Sequence, residues 1–312
     1  MNKRIFATKI AGLLWKVLRF VILLGLSYVI LYPVIYMLSM ALRDANQTMD
    51  PSIIWVPKYL VADNFVKAFE GMRVFKTMGT TIILALVSSL LQLVSCSIVG
   101  YGFARFKFKG SGILFTLCLL TLIVPAQCIT VPLTFLYKNF SIPVIAPLLE
   151  TFGGITLPGI NLVDSWLIFW LPAMFSVGIR GGLYVYIFQQ FFRGIPYEIE
   201  EAALVDGAGY FKTFYSVMMP NASGSYLTVF LFSFVWYWND TLNTNMFIRT
   251  KNTFAKALGS YVSQSGGGAF NAYDGSPRRN AACIIFILPL LIMYMFLQKY
   301  FVQSVERTGI VG

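Results

Sequence analysis

Long stretches free of charge alternate with short, crowded polar segments along this chain. Six apolar runs stand out, at residues 20–42, 77–104, 110–137, 165–192, 213–239 and 280–298, and only the fourth is interrupted by a charge, Arg180. Each approaches or exceeds the about 20 residues that a helix needs to cross a hydrocarbon core roughly 30 Å thick. The pattern predicts an all-α membrane protein with six transmembrane helices, near 20–42, 77–104, 111–134, 165–192, 222–247 and 280–301. Pro33, Pro125, Pro172 and Pro289 fall within the runs, where neighbouring helices take up the carbonyls that a proline frees. The membrane domain then occupies 20–303. Residues 1–19 carry five basic side chains, no acidic one and a partial stripe of Ile5, Ile10, Leu13, Leu14 and Val17, which predicts a segment lying along the cytoplasmic interface. From Val302 onward the chain is too polar to extend the sixth helix, and 304–312 forms a cytoplasmic tail.

Composition agrees with this class. Charged residues are 12% of the chain and mean hydropathy is +0.71, against about 25% charged in soluble domains. The net charge of +11 sits beside the apolar runs, where lipid headgroups rather than nucleic acid are the partner. Five basic residues before residue 20, and Arg105, Lys107 and Lys109 in one tight loop, place both termini in the cytoplasm by charge density. With no histidine in the sequence, His-based metal sites and His acid–base chemistry are excluded. Cys96, Cys118, Cys128 and Cys283 stand singly in apolar runs and read as small buried hydrophobes.

The three outer segments differ. Residues 43–76 mix both charges with Pro51, Trp55 and Pro57, which suggests a folded flap. Residues 139–164 are rich in Pro and Gly and suggest a short re-entrant piece. Residues 249–279 hold a glycine-rich loop.

Residues 197–220, YEIEEAALVDGAGYFKTFYSVMMP, concentrate four of the 13 acidic residues: Glu198, Glu200, Glu201 and Asp206. Pro196 suits a first helical position, and acids in the first turn suit the helix dipole. Ala202 and Ala203 keep one face small. Gly207 and Gly209 permit the left-handed corner that ends such a helix. A second helix follows with Phe211, Phe214, Tyr215 and Met218 as an apolar stripe toward the bundle, ended by Pro220. The segment reads as a helix–turn–helix with a small acidic outer corner. A plain interfacial hairpin without a partner fits the same residues.

Glu201-Ala202-Ala203, Asp206-Gly207-Ala208 and then Pro220 resemble the EAA motif of bacterial ABC-importer permeases. The approach from Phe192 to Pro196, and the tail Gln298–Val302 through Gly309–Gly312, are similar to those of the maltose-type, carbohydrate-uptake branch. The resemblance implies a half-channel subunit in the bacterial cytoplasmic membrane, completed by a second permease as a heterodimer and served by an external solute-binding protein. It further implies that the segment between helices 4 and 5 docks on a cytoplasmic ATPase dimer through Glu200, Glu201, Ala202, Ala203, Asp206, Gly207, Ala208 and Pro220. Glu201 would pair with a basic residue there. The chain contains no GxxxxGK[ST] sequence, so ATP and Mg belong to that partner. No cofactor, metal or catalytic residue is assigned here.

Three further places could carry function. Arg180, costly in lipid, is a pathway or gate residue or else a structural partner of Asp240. Trp236, Trp238, Asn239 and Asp240 combine flat aromatic faces with polar groups suited to a sugar, or form an aromatic belt; the resemblance favours a pathway position. Gly266, Gly267, Gly268, Phe270 and Tyr273 match the family's loop that enters the binding protein, or form a flexible connector. Together these readings give an importer of carbohydrate by alternating access, with an oligosaccharide as the expected cargo. A polyol or glycerol phosphate is the alternative cargo, and a stand-alone ion-coupled carrier the alternative class.

Overall fold

A computed structural model describes residues 2–141, 159–265 and 272–309, which are helical apart from loops and one antiparallel bridge between Phe140 and Ile160. The chain divides into two compact units, Met1–Met72 with Leu258–Leu288, and Arg73–Ala257 with Pro289–Gly312.

In the first unit, α1 (Asn2–Ala41) runs unbroken for 40 residues. The boundary expected near residue 19, between an interfacial segment and the first span, is thus not marked by a break in the helix. Between Leu13 and Phe20 there is no Pro, Gly or polar turn to stop the helix, and Lys and Arg side chains can carry their charges along its surface. α2 (Ala45–Met49) and α3 (Asp63–Gly71) belong to a folded flap, as expected. Arg43 is buried and organises it: Nη1 donates to the Ile53 carbonyl at 2.8 Å, and Nη2 to the Ile54 carbonyl at 2.9 Å and to Ser39 Oγ at 2.7 Å. Gln47 donates to the Tyr59 carbonyl at 3.0 Å and accepts the Lys58 N–H at 2.8 Å. Asp44 caps α2 by accepting the Gln47 N–H.

The second unit is built around α4 (Val74–Arg105), followed by α5 (Ser111–Ile123), α6 (Ala126–Lys138), α7 (Leu167–Met174), α8 (Gly181–Gly194), α9 (Tyr197–Val205), α10 (Tyr210–Thr213), α11 (Ser223–Trp238) and α12 (Leu242–Phe247). α4 approaches α8 closely because Gly100 has no side chain. A Cβ there would lie 2.6 Å from Phe188 Cβ and 3.1 Å from the Val185 carbonyl, the small-residue contact by which membrane helices gain packing. Cys96, Tyr101, Tyr184, Phe188, Phe192, Met218 and Val229 form the buried core around this contact.

Two helices remain. α13 (Phe254–Gln264) precedes the glycine-rich loop, and α14 (Ala272–Gly309) follows it. α14 continues past Val302, so the polar tail does not leave the helix where expected; helical backbone hydrogen bonds need no apolar environment. Cys128 is exposed, unlike the buried Cys96.

Among the described residues, three helical stretches are long and apolar enough to cross a membrane unbroken: Gly12–Ala41, Val74–Arg105 and Gly275–Tyr300. The expected span at 111–134 is the pair α5 and α6, bent by 103° at Val124–Pro125, where one of the prolines within the apolar runs falls. Pro125 has no N–H to continue the ladder. The runs 165–192 and 222–247 are likewise divided, into α7 with α8 and α11 with α12.

Candidate functional site

The acidic segment folds largely as its sequence predicts. Pro196 stands one place before the first helical residue rather than at it, with extended backbone. α9 then ends in a Schellman arrangement: the Gly207 N–H donates to the Leu204 carbonyl at 3.1 Å and the Ala208 N–H to the Ala203 carbonyl at 3.0 Å. Gly207 has φ +80°, the left-handed value that this ending requires. Glu201, Ala202, Val205, Asp206 and Gly207 are exposed, while Ala203 and Ala208 are half-buried. They form a small-residue corner with carboxylates at its rim.

The second helix departs from expectation. After α10 the chain makes a π-turn over Phe214–Met218, where the Met219 N–H donates to the Phe214 carbonyl. The wider turn changes which side chains face inward. Thr213 and Met218 are buried and Phe214 and Val217 half-buried, whereas Phe211 and Tyr215 of the expected stripe are exposed, Phe211 at 85%. Pro220 does not end the helix either. Met219–Asn221 stay helical, and the break falls at Ala222 (φ −89°, ψ 14°).

Glu200 turns inward, away from the corner where it was expected to dock, and is 6% exposed. The Tyr101 hydroxyl donates to its Oε1, and Arg105 Nε stands 2.9 Å from its Oε2 as a contact ion pair. Arg105 Nη2 also donates to the Ile195 carbonyl at 2.7 Å, and its guanidinium lies 4.3 Å from the centre of the Tyr197 ring. The sequence position of Arg105 suggests a loop beside lipid headgroups. It is instead the last residue of α4, with its side chain 2% exposed. A signal was present: neighbours on a helix lie about 100° apart, so Glu200 and Glu201 cannot share one face.

The fourth apolar run breaks between Phe175 and Arg180, where Ser176 and Arg180 have φ of 63° and 60°. Side chains of α4 take up the freed carbonyls: Gln92 Nε2 donates to Ile179 at 3.0 Å and Ser95 Oγ to Ala173 at 2.6 Å. The Tyr237 hydroxyl accepts the Ile179 N–H. Arg180 is thus at a helix start, not in mid-helix, and its guanidinium lies 4.5 Å from the centre of the Trp236 ring. The Arg180–Asp240 pair is not formed. Asp240 caps α12, accepting from the Thr244 N–H at 2.9 Å and from Asn243 Nδ2 at 2.9 Å. Trp238 is buried against Phe234 and Phe254, whereas Trp236 and Asn239 are exposed. The aromatic cluster is therefore divided between core and surface.

Asp164, at φ 69°, ties its segment to residues 249–251. It accepts the Thr250 hydroxyl at 2.5 Å and the Arg249 and Thr250 N–H groups at 3.0 Å. Those bonds, the Thr250 hydroxyl first, hold its carboxyl below the usual range. The re-entrant piece expected within 139–164 falls mainly outside the described residues. So do Gly266, Gly267, Gly268, Phe270 and the side chain of Tyr273.

The described elements are thus helices, with an exposed, acid-rimmed corner tied to α4 through Glu200. The chain matches the family described as "Binding-protein-dependent transport system inner membrane component" over residues 96–307, more than half its length. It belongs to that family: a multi-pass inner-membrane permease subunit of an ABC importer, which carries no catalytic role. It is 27% identical to the arabinooligosaccharides transport system permease protein AraQ of Bacillus subtilis (strain 168), covering 92% of each chain. It is 26% identical to the maltodextrin permease MdxG of the same strain, covering 97% of this chain and 98% of that one. It is 25% identical to the trehalose permease SugB of Mycobacterium tuberculosis, covering 90% and 93%. In fold it is similar to a chain of a bacterial ABC transporter involved in import of the acidic polysaccharide alginate, with a TM-score of 0.69, 17% identity, and coverage of 93% of this chain and 98% of that one.

Proposed function

We propose that this permease subunit passes a carbohydrate, an oligosaccharide, into the cell by alternating access. The observation that carries the reading is that relatives named for arabinooligosaccharides, maltodextrin and trehalose align with nearly the whole chain. In this reading the chain makes six membrane crossings, with some divided into short helices, and both termini are cytoplasmic. A second permease completes the path, and a separate ATPase dimer holds ATP and Mg. A solute-binding protein delivers the sugar from outside, with residues 266–273 as the loop that meets it. The corner at Glu201, Ala202, Ala203, Asp206, Gly207 and Ala208 docks on the ATPase, with the exposed Val205 and Phe211 beside it. Arg180, Trp236 and Asn239 face the sugar's path, while Trp238 and Asp240 hold that surface in place from behind.

Purification through a tag on this chain in mild detergent tests the reading. The expected result is co-recovery of an ATPase, a second permease and a binding protein that retains an oligosaccharide. Recovery of a lone homo-oligomer, or of a binding protein loaded with a polyol or glycerol phosphate, overturns it.

A further inference from the structure

Four observations meet at the end of α4. Tyr101 and Arg105 lie one turn apart on that helix and hold the two oxygens of one carboxylate, Glu200, on α9. Arg105 also binds the Ile195 carbonyl and covers the Tyr197 ring, so it touches the segment entering α9 and its first turn. The covalent link from α8 to α9 is only the extended pair Ile195–Pro196. The core contact at the other side of α9 is made by the Phe214 ring, 5.0 Å from that of Tyr101.

Stability alone is a poor reason for this arrangement. Desolvating two charges offsets most of their attraction, and an apolar pair of similar volume packs as well or better. The network is also incompletely satisfied, because Arg105 Nη1 is buried with no hydrogen-bond partner among the described residues. What a planar guanidinium supplies that apolar packing does not is direction: it fixes the plane and angle of the groups it holds.

We propose that Arg105 is the joint through which the corner segment and the central transmembrane helix move as one body. It is a positioning residue: it sets the angle of α9 through Glu200, one residue from the outward-facing Glu201. Force taken at the corner then enters α4 at its last turn, and α4 is the helix against which α7, α8 and α11 pack. The proposal rests on the reading of 196–220 as the ATPase-docking segment.

The test uses the complete transporter reconstituted in lipid, and its readout is solute taken up per ATP hydrolysed. Arg105→Gln and Glu200→Gln each lower that ratio about tenfold, within the range of ordinary coupling energies. The double variant Arg105→Met with Glu200→Leu separates positioning from folding: it restores membrane abundance and thermal stability while the ratio stays low. If the double variant regains the wild-type ratio, the pair is merely structural and the proposal falls. Tyr101→Phe deletes one hydroxyl and serves where the other variants fail to accumulate; a partial fall in the ratio is expected, and an unchanged ratio overturns the proposal. Glu201→Lys is the control for the underlying reading. If it leaves uptake intact, docking at this corner is wrong; if it uncouples while the Arg105 variants do not, only the joint is wrong.

Discussion

Asp44 shows how one side chain sets the condition under which a segment stays folded. Its carboxylate accepts the Tyr59 hydroxyl at 2.6 Å and the Gln47 N–H at 3.0 Å, closing the flap over 44–59. The Tyr59 bond is the main reason its carboxyl is held below the ordinary range. Because the folded pKa is depressed, the contribution is complete above the unfolded value, about 3.9, and is lost as pH falls through the lower folded value. The flap is therefore expected to stay closed at neutral and mildly acidic pH and to loosen only below the usual carboxylate range. Tyr59→Phe moves that loosening to higher pH. Pepsin cleavage within 44–59, followed across acidic pH, checks this; identical profiles for the two proteins reject the role of the hydroxyl. The same scale shows where chemistry could not be read from residue type. Glu200 and Glu201 are chemically alike and adjacent, yet one is sealed against Arg105 and the other faces water. Helix geometry separates them, but naming the partner requires α4, about 100 residues away in sequence.

At the scale of elements, local signals were legible, Pro125 at the bend of α5 and α6 among them, whereas breaks that depend on partners elsewhere in the fold were not. The corner at Gly207 follows from glycine's access to positive φ, and α9 ends there as expected. Hydropathy, in contrast, reports where side chains can reside and says nothing about backbone continuity. The run 165–192 is apolar enough to cross, but it breaks near Ser176 because Gln92 and Ser95 on α4 satisfy the carbonyls that the break exposes. The π-turn at Phe214–Met218 similarly moved Phe211 and Tyr215 out of a stripe that a 3.6-residue period would bury. Gly207 gives a prediction at this scale. Its Cβ position is open, with nothing within 4 Å, so the constraint is conformational. Gly207→Ala costs about 1–2 kcal/mol of left-handed strain and lowers uptake modestly. Gly207→Pro cannot reach positive φ and loses the N–H that binds Leu204; it is expected to abolish uptake while the protein still accumulates in the membrane. Quantitative membrane immunoblots alongside uptake assays decide the matter, and full transport by Gly207→Pro removes the corner from the mechanism.

The whole molecule has the surfaces of a part rather than of a complete machine. The Gly12–Ala41 stretch has no buried residues within its most apolar window, so that helix must be covered by lipid or by another subunit. In the function proposed above, ATP is held by a separate ATPase, and the sequence of this chain offers no GxxxxGK[ST] loop. In that reading the energy for transport arrives through a surface, and the exposed Glu201–Gly207 corner, tied to α4 through the Arg105–Glu200 pair, is the surface proposed to receive it. Proteoliposomes containing this chain alone are expected to hydrolyse no ATP and to take up no oligosaccharide, with or without a proton or sodium gradient. Uptake is expected once the second permease, the ATPase and the loaded binding protein are supplied together with Mg and ATP. Gradient-driven uptake by the isolated chain would instead mark a stand-alone carrier, for which an intramembrane carboxylate is the usual requirement. Asp240 is the residue that such a mechanism would have to use, but both its oxygens are engaged in capping α12. Asp240→Asn therefore provides the discriminating variant: it weakens the cap while leaving the ATP dependence of uptake in place, whereas a proton-coupled carrier would lose its response to pH.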